Sequence, residues 1–82
     1  MTYGNKSSSD SEQLEGKYAN YFKVGYNAFE FVIDLGQLYS ENGGAHLHSR
    51  IITNPIYAKA LLETLQESIQ QYEKTFGVIR GG

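Results

Sequence analysis

The chain has 82 residues, seven Lys plus Arg against nine Asp plus Glu for a formal net charge of -2, and no cysteine. This length allows a single domain, and the missing thiols remove disulfides, thiol chemistry and thiolate metal sites together. With no basic block to meet phosphates, nucleic acid is an unfavoured partner, and with no long apolar run neither a membrane span nor a signal peptide is expected, which points to a cytoplasmic protein.

Residues 1–16 hold a run of three serines, several charges and only Leu14 as an aliphatic residue beyond Met1. Such a segment buries too little apolar surface to offset its conformational entropy, so it is expected to be a disordered tail. Ordered structure is expected over 17–77 as a single domain, with 78–82 as a flexible end.

In residues 17–26, Phe22, Val24 and Tyr26 alternate, and in 29–39 Phe29, Phe31, Ile33 and Leu35 alternate with Glu30, Val32, Asp34 and Gly36. Both are strand patterns. Asn27-Ala28 fits a two-residue hairpin turn between them, although Ala28 is less apt than glycine. Glu41-Asn42-Gly43-Gly44 is a second, clearer turn, and a third strand follows over 46–53. These turns set Tyr26 opposite Phe29, Val24 opposite Phe31, Phe22 opposite Ile33, Ile33 opposite Ile51 and Asp34 opposite Arg50. One sheet face then gathers Phe22, Val24, Tyr26, Phe29, Phe31, Ile33, Leu35, Leu47 and Ile51, an agreement that a slip of one residue would destroy.

Asn54 is a good N-cap, Pro55 suits the first helical position, and Gly77 is placed to end the helix in a left-handed cap. Between them, over 55–76, Ala58, Leu61, Leu62, Leu65, Ile69, Tyr72 and Phe76 form one apolar stripe at helical spacing. The helix would run ~33 Å, close to the length of the central strand. The expected fold class is therefore α+β: a three-stranded antiparallel β-meander packed on one long C-terminal α-helix. The same stripe comes near coiled-coil spacing and could seat a partner helix instead.

Roughly 60 ordered residues make a marginal core, which favours self-association as a homodimer. The second sheet face is mixed: Ala19, Tyr21, Lys23, Glu30, Val32, Asp34, His46, His48, Arg50 and Ile52. Tyrosine joins large apolar area to a hydrogen-bonding tip, so seven tyrosines in a short chain suit an interface. The candidate interaction surface is Tyr18, Tyr21, Lys23, Asp34, His48 and Arg50, with an unidentified protein as the second partner.

The run Tyr18-Ala19-Asn20-Tyr21-Phe22, then Glu30-Phe31-Val32-Ile33-Asp34, then His48-Ser49-Arg50-Ile51-Ile52-Thr53, then Pro55-Ile56-Tyr57-Ala58-Lys59-Ala60-Leu61-Leu62 resembles DUF3467, a family of short prokaryotic proteins. The similarity extends over about 16–77, and it is the order and spacing of the motifs that make it specific. The resemblance implies a single domain and supplies no activity, because the family's function is unknown.

Catalytic chemistry is hard to place. Arg50 could hold a carboxylate or phosphate if Asp34 leaves its guanidinium fork free, but a structural ion pair is the simpler role. His46 and His48, two apart, approach a zinc ligand set only with Asp34 or Glu30, so a solvated edge is expected and no metal or cofactor. Most serines lie in the tail, and Asn42-Gly43-Gly44 precedes a strand, not a helix, so neither a nucleophilic triad nor a phosphate loop is readable. Glu63 and Glu67 lie on the helix exterior. The ending Arg80-Gly81-Gly82 is like that of ubiquitin-like modifiers, yet the element order departs from theirs, and a frayed end is expected.

The reading is a non-enzymatic interaction or adaptor module acting as a homodimer. The alternative is a holdase-like chaperone, resembling the export chaperone SecB only in its layout of strand meander and long helix; a small nucleic-acid binder comes third.

Overall fold

A computed structural model describes residues 13–39, 41 and 43–81. Residues 1–12 of the tail expected over 1–16, Asn42 of the second turn and the terminal Gly82 lie outside the described residues. The elements run β1 (Tyr21–Tyr26), β2 (Phe31–Tyr39), β3 (Gly44–Thr53) and α1 (Pro55–Phe76). The strands form one antiparallel sheet in the order β1-β2-β3, so the α+β layout of a meander followed by one helix holds.

The β2–β3 register is the expected one, with Ile33 opposite Ile51 and Asp34 opposite Arg50. The β1–β2 register differs: Tyr26 pairs with Phe31, Val24 with Ile33 and Phe22 with Leu35. The expected two-residue turn would require a positive φ at Ala28. No described residue other than glycine has one. The chain instead makes a wider turn, in which Asn27 Oδ1 accepts from the N–H groups of Phe29 at 2.7 Å and Glu30 at 2.9 Å. The shift is by two residues, an even number, so each strand keeps its faces.

A second departure lies in β3. The ladder shifts between Leu35 and Gly36, so that Leu35 pairs with Ser49 but Gly36 pairs with Leu47, and His48 is the extra residue of a β-bulge. Gly36 permits the bulge. A Cβ on it would meet the carbonyl oxygen of His46 and, at 2.8 Å, Cα of Leu47, both backbone atoms. Beyond the bulge the sides exchange. Leu47 joins the face of Gly36, and His46, opposite Gln37, joins the apolar face, correcting the expected positions of both.

Helix α1 has the expected bounds and N-cap. Asn54 Oδ1 accepts from Tyr57 N–H at 2.8 Å, and Gly77 ends the helix at a positive φ of 103° but with ψ 168°, so the expected left-handed helical cap is not formed, while its N–H donates to Glu73 O. After the helix, Ile79 N–H donates to the Glu73 carboxylate at 2.9 Å.

The expected packing of the helix on its own sheet is not found. No residue of α1 is buried, and the strands meet one another without extended contact to the helix. Leu65, in the middle of the stripe, is 54% exposed, and across from it in kind Phe22 and Ile51 of the sheet are 60% and 53% exposed. Among the described residues no apolar side chain is buried. The reason lies in the connection: only Asn54 separates Thr53 from Pro55. Its backbone is held by the cap and by the following proline, so the chain has no length with which to turn back over the sheet.

Candidate interaction surface

Residues directly opposite on neighbouring strands share a face. One face therefore carries Phe22, Val24, Tyr26, Phe31, Ile33, Leu35, Ile51 and Thr53, with the polar Ser49, Gln37 and His46 toward one end and Tyr26 and Phe31 stacked at a ring separation of 5.6 Å. No Asp, Glu, Lys or Arg belongs to this face.

The opposite face carries a charged row across all three strands: Lys23, Asp34 and Arg50. Arg50 grips Asp34 at two points, Nε to Oδ1 at 2.7 Å and Nη2 to Oδ2 at 2.9 Å. Asp34 is the one buried polar residue among those described, whereas the Arg50 side chain is 64% exposed. The hydrogen bonds from Arg50 hold the Asp34 carboxyl below the usual carboxylate range; burial opposes this, and the charges of Arg50 and Lys23 add to it. Arg50 is raised in turn, chiefly by its hydrogen bond to Asp34.

Beside this row stands His48. Its Nε2 lies 2.9 Å from the Tyr18 carbonyl, which can only accept, so Nε2 carries the proton; Nδ1 is 2.7 Å from Ser49 Oγ. Tyr18 precedes β1 and His48 is on β3, so the chain entering β1 crosses the middle strand. Asn20 anchors that crossing, donating its N–H to Gly36 O at 2.9 Å and accepting Leu38 N–H on Oδ1 at 2.7 Å. Apart from its place in the family-like run 18–22, just ahead of an alternating pattern, nothing in the sequence singles out Asn20.

Of the expected surface, Lys23, Asp34 and Arg50 form one row, Tyr21 is one step along opposite Gly36, and Tyr18 and His48 join at the bulge. Asp34, His48 and Arg50 line, with Leu47 and Ser49, a shallow hollow of about 280 Å³, and Tyr18, Tyr21 and Lys23 are not among its lining residues. Two members of the expected mixed face lie elsewhere: Glu30 in the turn and His46 on the apolar side. Among the described residues no three His, Cys, Asp or Glu side chains gather as a metal site, and no helix is long and apolar enough to cross a membrane.

Fold and surface together define a single-layer meander with a trailing amphipathic helix, one sheet face apolar and the other crossed by an ion-paired row. The family model described as a protein of unknown function, DUF3467, matches residues 5–81, and the chain belongs to that family. No curated protein and no solved structure matches the chain.

Proposed function

We propose that this protein is a non-enzymatic interaction module of the cytoplasm, working as a homodimer that presents its ion-paired sheet face to a protein partner. One observation supports this above others: a chain with no buried apolar side chain among its described residues displays two large apolar surfaces, the sheet face and the helix stripe. Apolar surface of that extent drives association, and a domain this small lacks a core without it. Burying those surfaces between two chains leaves the row Lys23–Asp34–Arg50, with Tyr21, facing outward. Asp34 between the two cations prevents a concentrated positive patch, so a protein with mixed polar chemistry suits the surface better than nucleic acid does.

Light scattering at micromolar concentration tests the dimer: the mass of two chains is expected, and the mass of one overturns the reading. Affinity capture from the native cell tests the surface. A discrete protein partner is expected, lost when Tyr21 and Lys23 are both changed to Ala. If the apolar faces stay open in the assembled protein, they favour the holdase reading instead, and suppression of aggregation of an unrelated unfolded client would identify it.

A further inference from the structure

We infer that the two chains exchange helices, α1 of each lying across the apolar sheet face of the other. The inference rests on the dimer proposed above and specifies how it is built. Four observations support it.

First, both surfaces are open within one chain, and the link between them is Asn54 alone, fixed by the cap to Tyr57 and by Pro55. The helix cannot fold back, so whatever covers the sheet face comes from another chain. Second, the dimensions agree: at ~1.5 Å per helical residue α1 runs ~33 Å, and β2 at ~3.3 Å per residue runs ~30 Å. Three strands ~4.8 Å apart present a face about as wide as one helix, ~10 Å, leaving room for one helix and no more.

Third, the chemistry agrees. The row Val24–Ile33–Ile51 crosses the middle of the sheet face with no Asp, Glu, Lys or Arg beside it, and Leu65 stands at the middle of the helix. Fourth, the area suffices. At on the order of 100 Å² for each half-exposed large side chain, the stripe offers roughly 600 Å² per helix, and two helices on two sheet faces bury more than about 2,000 Å², as obligate dimers do. A pairing of helix with helix would leave both sheet faces bare. Reciprocal exchange covers all four surfaces under one twofold axis, and the assembly closes.

The chain has no cysteine, so introduced thiols are unambiguous. Chains carrying Ile33→Cys and chains carrying Leu65→Cys, differently tagged and co-expressed, are joined with a short bismaleimide. The expected product is a covalent heterodimer bearing both tags, with each variant alone giving little dimer. A chain carrying both substitutions is expected to give covalent dimer as well. Internally linked monomer from that chain, or efficient linkage of Leu65→Cys alone, overturns helix exchange while leaving the two-chain mass, and so the dimer reading, standing. A one-chain mass by light scattering overturns both. Should the variants fail to fold, isotope-filtered NOE spectra of mixed labelled and unlabelled wild-type protein give the same decision. Methyl contacts of Leu65 and Ile69 with Ile33 and Ile51 are expected between chains; contacts confined to one chain, or none, overturn the exchange.

Discussion

Asp34 and Arg50 form an unequal pair: the acid is enclosed, with 9% of its side chain exposed, and the base that neutralises it is 64% exposed. Each therefore depends on the other to a different degree. Removing Arg50 strands a carboxylate in the sheet, whereas removing the charge of Asp34 frees an arginine that water already solvates. Arg50→Ala is accordingly expected to destabilise the protein more than Asp34→Asn, and the double variant to be less impaired than the sum of the two. Urea unfolding of the three variants, treated as a double-mutant cycle, measures the difference.

The same pair sets an acid dependence. The carboxyl of Asp34 is held below its usual range when folded, so the folded state binds this proton more weakly than the unfolded chain does. Its stabilising contribution is complete above the unfolded value of about 4 and is lost as pH falls through the folded one. Stability measured by urea between neutral pH and acid should therefore fall below about pH 4, and the Asp34→Asn variant should show a shallower fall. An unchanged profile would remove Asp34 as a source of the acid sensitivity.

Gly36 supports the bulge through its missing side chain. Because an added Cβ would meet backbone atoms of His46 and Leu47, which cannot rotate aside, Gly36→Ala forces the bulge apart. A loss of about 3 kcal/mol is expected, at the upper end of ordinary overpacking. Gly25, with nothing within 4 Å of the equivalent position, is the control. Gly25→Ala should change stability by less than about 1 kcal/mol, since the strand loses only glycine's extra freedom. Chemical denaturation of the pair is the measurement.

What was legible in the sequence follows the range of the signals. Asp34 opposite Arg50 and Ile33 opposite Ile51 could be read because an Asn-Gly turn and two alternating patterns agree on one register. Faces survived the misplaced first turn because the slip at Tyr26–Phe31 is even. The bulge at His48 was hidden, since Gly36 reads as one more small residue in an alternation, and its role emerges only when the neighbouring backbone is placed against it. The helix limits were plain from Asn54, Pro55 and Gly77, but the amphipathic stripe says only that Leu65 is to be covered. The single-residue link was legible as well, since a strand over 46–53 and a helix over 55–76 leave only Asn54 between them, but the open helix stripe that goes with it shows only once the elements are placed in space.

The cap at that link has its own signature. Asn54→Ala removes the acceptor for Tyr57 N–H and is expected to cost about 1 kcal/mol, while Asn54→Asp keeps an acceptor and should cost less. The two variants compared by thermal unfolding, at fixed protein concentration so that association does not shift the midpoint, separate loss of the cap from loss of assembly.

Lengthening the same link tests its part in assembly. If the shortness of the connection between Thr53 and Pro55 keeps the helix from its own sheet, then adding flexible residues ahead of Asn54 should release it, because closing a longer loop adds little entropy. An insertion of roughly six Gly and Ser residues, enough at ~3.3 Å each to reverse direction over a sheet, lets one chain satisfy its own apolar face. The expected outcome is a folded protein of single-chain mass at micromolar concentration, with strand and helix content unchanged by circular dichroism. Retention of the two-chain mass, at unchanged stability, would show that the link does not direct the pairing and that the partner's helix is preferred for contacts of its own.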